Sequence, residues 1–409
     1  MHDADGRRPG AATDAVEGVV PRWVAEPASG EGVARTLAQA ATDGHSVLVQ
    51  GGGTKSGWGG PLTTVDILLK TGRLNEVEAH RHGDLTATVQ AGTTLARTNE
   101  RLGQHRQWLA LDPPEAERAT VGGVLATNDA GPRRHRHGAP RDLVIGMTLV
   151  RADGVTAHSG GIVVKNVAGY DVARLLTGSF GSLGVIVNAT FKLAPLADAS
   201  RTVVVDVPDA ASATAFSTEL LSLGSTPAAL ELSGPRQVVL RFESLDVVTA
   251  AQADQARSLA ERHGGTGRVL DAGAEPEHWA EHERGVFAGD GTLLKAVVLP
   301  ADLPSTLAWL EEASASRGLS YSFTAQAALT VLHLRLTGPA EQQASLVSEW
   351  RERLTMGQGS VVLRRAAPEV KTLTDVWGAV GNTLDLMREV KRQFDPAALL
   401  NPGRGPGGL

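Results

Sequence analysis

Three glycine clusters hold the residues best suited to chemistry. The first, Gln50-Gly51-Gly52-Gly53-Thr54-Lys55-Ser56-Gly57, follows a short apolar run. Successive glycines let backbone N–H groups point into one concavity, which suits a phosphate or pyrophosphate; a tight structural turn accounts for the same residues. It is not a Walker A loop, because the order is Gly53-Thr54-Lys55-Ser56. Nor is it a Rossmann fingerprint, since Ser56 stands where the third glycine is required. The second cluster is Thr120-Val121-Gly122-Gly123-Val124-Leu125-Ala126-Thr127-Asn128, preceded by Asp112-Pro113-Pro114. Thr120 is placed to cap a helix, and the glycines either admit a ligand to the helix start or pack against a neighbour. The third, Gly178-Ser179-Phe180-Gly181-Ser182-Leu183-Gly184-Val185-Ile186, leaves backbone donors and acceptors bare, as recognition of a flat heteroaromatic ring requires.

Histidines offer less. His333 alternates with apolar residues on a strand and reads as a packed or solvent-facing residue. His278 and His282 are four apart on one helix with no third ligand beside them, which makes a polar helix face. In Arg133-Arg134-His135-Arg136-His137 the arginines repel a cation, so the run faces a phosphate, a carboxylate, a partner or solvent. No metal site is expected, and no catalytic residue can be named.

The elements that must position these clusters fall into two textures. From residue 19 to 196, short β-branched runs alternate with glycine-rich turns. A helix is expected over 31–43, and strands over 46–50, 66–70, 86–90, 143–151 and 184–193, with Asp153-Gly154 as the turn between the last two. Beyond 200 comes a regular alternation. Strands are expected over 202–207, 238–242, 293–299 and 329–336, and helices over 210–223, 247–263, 303–317 and 340–354. Two β-α-β-type halves of similar length predict a ferredoxin-like α+β sheet domain, duplicated within the chain. A last helix is expected over 374–393.

Composition removes several classes. The chain has 409 residues, enough for two or three domains. With 39 basic and 45 acidic residues the net charge is -6, which argues against general nucleic-acid affinity. There is no cysteine, so disulfides, thiolate zinc, iron–sulfur ligation and a cysteine nucleophile are excluded. No apolar run approaches the roughly 18 residues that span a bilayer, and the polar N-terminus has no secretory core. The expected location is cytoplasmic, with a disordered lead-in over 1–17.

One stretch narrows the reading. Gly161-Ile162-Val163-Val164-Lys165-Asn166-Val167-Ala168-Gly169-Tyr170-Asp171, then Arg174-Leu175 and the third glycine cluster, resembles the PCMH-type FAD-binding domain of the vanillyl-alcohol oxidase flavoproteins. Among these it is most similar to glycolate oxidase subunits, above all the smaller, FAD-binding one. The tail Phe394-Asp395-Pro396-Ala397-Ala398-Leu399-Leu400-Asn401-Pro402-Gly403-Arg404 resembles the same group. The resemblance implies an α+β FAD domain over 18–196, a ferredoxin-like cap over 197–385 and a segment over 386–409 that packs on the FAD domain. It places the pyrophosphate on residues 51–56, next to Gln50. Asp112, Pro113, Thr120, Gly122, Gly123, Thr127 and Asn128 would hold the remaining diphosphate, ribityl and flavin edge. Ser182, Gly184, Val185 and Ile186 would meet adenine or isoalloxazine through backbone atoms. Lys165 and Tyr170 belong to the same neighbourhood, or are a solvated lysine and a buried tyrosine with a satisfied hydroxyl.

Thr54 or Lys55 stands where covalent relatives carry histidine, so FAD is expected to bind non-covalently. The histidine-glycine-aspartate-glycine motif of the larger, substrate-oxidising subunits is missing, and Phe180 replaces their glutamate. Oxidising a 2-hydroxy acid needs a base and a cation for the carboxylate. Arg284, Arg335 and His333 are available but no spacing joins them. The implied activity is therefore an FAD subunit of a glycolate or other 2-hydroxy-acid oxidase complex. A second FAD subunit and an iron–sulfur subunit would be its partners, with membrane association only through them. A stand-alone FAD-linked oxidase and a flavin-free scaffold are the alternatives.

Overall fold

The computed structural model describes residues 6–163, 169–354 and 358–409. It divides into two compact units. The first comprises Met1–Gly131, Gly138–Leu196 and Ala379–Leu409; the second comprises Pro132–His137 and Ala197–Gly378.

The first unit begins with a small sheet in which the strands Trp23–Ala25 and Val47–Gln50 flank Ile67–Lys70, both parallel to it. Parallel neighbours need a crossover, and the helix Gly30–Asp43 supplies it. Ser29 caps its start by accepting the Gly32 N–H at 3.2 Å, and Gly44 at φ 67° ends it. Val33, Leu37 and Ala40 recur at helical spacing and are buried with Ile67 and Leu69 in one core. A second sheet, wholly antiparallel, runs Val77–Arg81, Thr86–Gln90, Val185–Lys192, Val144–Val150, Thr156–Gly160. The Asp153-Gly154 turn therefore leads into Thr156–Gly160, not straight to the strand expected over 184–193. Thr156–Gly160 is an exposed edge with a polar sequence, so it carries no apolar alternation to announce it.

The second unit is one antiparallel sheet of eight strands. Its order is Thr266–Val269, Ala199–Asp206, Gln237–Ser244, Ala229–Ser233, Ser320–Gln326, Val331–Thr337, Thr292–Val297, Ser360–Arg365. Each half reads β-α-β-β-α-β along the chain, and the halves join where Ala229–Ser233 pairs with Ser320–Gln326. This is the ferredoxin-like split unit, present twice. The helices Ala210–Ser222, Asp246–Arg262, Leu303–Ser316 and Ala340–Arg353 contribute to one apolar core with the strands.

The helix expected over 374–393 starts later. Thr374 ends the preceding helix, Val376 and Trp377 pack in the core of the second unit, and Gly378 and Gly381 take φ of 76° and 68°. Helix Leu384–Phe394 then belongs to the first unit. Left-handed glycines interrupt the helix where periodicity alone would carry it through.

Candidate functional site

The first glycine cluster leaves the strand Val47–Gln50 as a loop whose glycines are obligatory for packing. A Cβ on Gly51 would lie 2.0 Å from Thr120 Oγ1, and one on Gly52 would lie 1.8 Å from the Arg118 carbonyl. Gly53 takes φ +78°. None of the backbone N–H groups from Gly51 through Lys55 donates to an acceptor among the described residues. The Oγ1 of Thr120 is buried and likewise lacks a hydrogen-bond partner. Thr120 does occupy the position before helix Val121–Thr127, but its side chain does not cap it. Bare amides and an orphan hydroxyl thus converge on one small cleft of about 80 Å³, lined by Val49–Ser56, Thr120, Gly123, Ala126, Thr127 and Phe180.

Among the described residues its one cation is Lys55. The Nζ sits 3.2 Å from the buried Asp129 carboxylate and 3.2 Å from Thr54 Oγ1, which it donates to. Gln50 donates to Ser56 Oγ at 2.9 Å, bracing the loop from inside. Thr127 Oγ1 donates back to the Gly123 carbonyl at 2.8 Å. Five uncommitted amides with an adjacent lysine are a donor set suited to an anion.

The expected site residues divide. Gln50, Gly51, Gly52, Gly53, Thr54, Lys55, Ser56, Thr120, Gly123 and Thr127 line the cleft together. Gly122 does not: its N–H donates to the Ala91 carbonyl at 2.7 Å, and a Cβ there would sit 2.8 Å from that of Ala91. It is a packing glycine. Asp112 and Pro113 lie where the Asp112 carbonyl approaches Gly131 so closely that a Cβ there would come within 1.9 Å. Asn128 ends the helix in the left-handed conformation and accepts the Arg141 N–H at 3.3 Å. Gly184, Val185 and Ile186 are buried, the last two paired with Val150 and Leu149 in the sheet, and Ser182 turns its Oγ to the Ser179 carbonyl. From the third cluster, Phe180 is the residue that reaches the cleft, at φ 55°. Tyr170 is 93% exposed, so the buried tyrosine expected there is corrected: the turn before helix Val172–Leu176 leaves it on the surface. Lys165 lies outside the described residues.

Sequence reasoning did not find what holds the loops together. Asn401 Oδ1 accepts the Val49 N–H at 2.9 Å while its Nδ2 donates to the Phe180 carbonyl at 2.5 Å, tying the first cluster to the third. Arg404 donates to the carbonyls of Ser56, Trp58 and Gly60 and pairs with Glu17. The tail Asn401-Pro402-Gly403-Arg404 was the available signal, although its side-chain roles depend on long-range folding.

In the second unit the basic run finds a carboxylate. Arg133 Nε and Nη2 both donate to Glu243 Oε1, and Arg136 donates to the Glu243 carbonyl. His333 is buried against Phe287, their rings 5.2 Å apart. Arg335 and Arg365 donate to the carbonyls of Gly285, Phe287, Ala288 and Gly289, capping the end of helix Glu275–Phe287. Arg284 pairs with Glu277 at the surface. The polar-face reading of His278 and His282 is corrected: the His282 side chain is 5% exposed and faces Glu231. Among the described residues no group of three or more candidate ligands could hold a metal, and no helix is long and apolar enough to cross a membrane.

Residues 21–170 match the FAD binding domain model, and residues 377–404 match the C-terminal domain of FAD linked oxidases. The chain carries an FAD binding domain and the C-terminal domain of FAD linked oxidases. It is 38% identical to the glycolate oxidase subunit GlcE of Escherichia coli, over 40% of this chain and 46% of that subunit, so the match spans less than half of GlcE. The chain is also 27% identical to the D-lactate dehydrogenase of Archaeoglobus fulgidus, over 93% of this chain and 90% of that one. The glycolate oxidase subunit GlcD of Bacillus subtilis is 25% identical over 94% and 89%. Chitooligosaccharide oxidase shares the fold, with a TM-score of 0.68 at 16% identity, over 96% of this chain and 95% of that one. FAD is accordingly the cofactor, and the α+β architecture is that of the PCMH-type flavoproteins.

Proposed function

We propose that the chain is an FAD-binding subunit of a 2-hydroxy-acid oxidase complex of the glycolate oxidase kind, with the FAD diphosphate in the cleft at residues 50–56. The single observation that carries the reading is the row of uncommitted amides from Gly51 to Lys55, facing the orphan hydroxyl of Thr120. Lys55 supplies the positive charge, and Asp129 holds it in place. Bound FAD supplies two-electron redox chemistry. The protein's residues bind it, exclude bulk from the diphosphate and fix the loops through Asn401 and Arg404. Among the described residues neither histidine nor cysteine lines the cleft, which supports non-covalent attachment. Electrons pass to partners, a second FAD subunit and an iron–sulfur subunit, since a chain without cysteine lacks the usual cluster ligands.

The test is a visible spectrum of the purified chain, followed by acid precipitation. Flavin bands that move to the supernatant support non-covalent FAD; bands retained in the pellet refute it, and no bands even after adding FAD remove the reading. Anaerobic glycolate and D-lactate should leave the isolated chain oxidised, whereas bleaching would make it a self-sufficient dehydrogenase. Gly123→Asp should weaken FAD binding by about tenfold or more, roughly 1.4 kcal/mol, because it puts bulk and negative charge into the cleft. Unchanged affinity would displace the diphosphate from this loop.

A further inference from the structure

The second unit contains a cavity that the FAD reading does not use. It measures about 480 Å³, within the range of small-molecule sites, and opens between helix Glu275–Phe287 and strand Ser320–Gln326. His282 lines it. Its side chain is 5% exposed, yet neither ring nitrogen makes a hydrogen bond. Buried polar groups left unpaired are uncommon and call for a partner. Nε2 lies 3.6 Å from Glu231 Oε2, whose carboxyl is 2% exposed with its other oxygen also unpaired. Burial pushes the Glu231 carboxyl up, opposed in part by His282.

The rest of the lining fixes the chemistry of the occupant. Ser233 and Thr324 bring hydroxyls to the sheet face that meets helix Glu275–Phe287, where the neighbouring Ser322 Oγ donates to the Gly285 carbonyl; Tyr321 and Phe323 alternate with them and turn their rings to the other face, into the apolar core. No lysine or arginine lines the cavity among the described residues, and the charged group that does is Glu281. The nearby Arg335 is already committed to the carbonyls of Ala288 and Gly285. A carboxylate ligand would meet repulsion and no cation; a neutral molecule with several hydroxyls would satisfy His282 and the hydroxyls of Ser233 and Thr324. We propose that this cavity binds a small neutral polyhydroxylated molecule, a sugar or polyol, recognised by His282 and the hydroxyls of Ser233 and Thr324. The inference stands apart from the FAD reading and survives its failure.

Calorimetric titration of the full-length chain as purified tests it, with D-glucose and D-mannitol as neutral probes and glycolate and D-lactate as anionic ones. At least one neutral probe should bind saturably, and the anions should not. His282→Leu should weaken that binding by about tenfold with the thermal midpoint retained. Should that variant not fold, Thr324→Val reads the same site with a near-isosteric change. Binding of neither neutral probe, tighter binding of an anion, or wild-type affinity in the folded variant would each overturn the proposal.

Discussion

Lys391 is held by the Asp395 carboxylate at 2.6 Å and by the carbonyls of Ser182 at 2.7 Å and Leu400 at 3.0 Å, with both ionic side chains buried. Burial pushes the amine down, against the pull of Asp395. Asp395 in turn accepts the Leu399 and Leu400 N–H groups. Removing one partner of such a pair leaves a charge buried alone, so Asp395→Asn should destabilise by about 3–5 kcal/mol in urea unfolding. Lys391→Met strands the Asp395 carboxylate in the same way, with the Leu399 and Leu400 N–H groups as its remaining donors, and should cost a comparable amount. Asp14 behaves differently. The Arg8 guanidinium first, and then Lys70, hold its carboxyl well below the usual carboxylate range, despite its burial. A depressed folded pKa stabilises fully above the unfolded value, about 4, and that contribution is lost as pH falls through the lower folded value. Urea midpoints should therefore fall below about pH 4 in the wild type. Asp14→Asn should lose about 1–3 kcal/mol at pH 7 and show a shallower decline in acid. An equally steep decline would remove Asp14 from the account.

At the scale of elements, Gly122 decides a contact and not a ligand. Helix Val121–Thr127 meets the Ala91 backbone there, with Val121 and Gly122 donating to the Thr93 and Ala91 carbonyls at 2.9 and 2.7 Å. Gly122→Val should lower the melting temperature whether or not FAD is present, whereas Gly123→Asp acts on FAD retention. Equal melting of Gly122→Val and wild type would show that the contact yields freely. The difference between two adjacent glycines could not be read from their sequence, because it depends on which strand passes behind the helix. Amphipathic elements with strong periodicity were legible: helix Gly30–Asp43 and the strand–helix alternation of the second unit lie within three residues of expectation. The strands Ala229–Ser233, Ser320–Gln326, Ser360–Arg365 and Val77–Arg81 were not read. The first three lie in or beside an eight-stranded sheet whose order is set by pairing between distant segments, and the last is only partly buried. The first glycine loop was legible as a site because its chemistry is local. The Asn401 and Arg404 ties were not, since they span 352 and 348 positions in the chain.

At the scale of the whole molecule, the first unit is discontinuous, and its last segment is structural. Leu400 pairs with Val47 as a parallel bridge and is fully buried in the core with Ile67 and Leu69. Deleting residues 379–409 should abolish FAD retention and expose this apolar seam, and the same segment added as a peptide should restore part of the flavin absorbance. Full retention without it would make the tail dispensable. The order of synthesis gives this arrangement a temporal meaning. Val47 leaves the ribosome long before Leu400, by roughly 20–70 s at about 5–20 residues per second. During that interval the glycine loop lacks Asn401 and Arg404, and the nascent first unit has an open edge for chaperones to shield. Cofactor loading should then wait until Asn401 and Arg404 have joined the loop, and a fragment that ends within the second unit should retain no FAD.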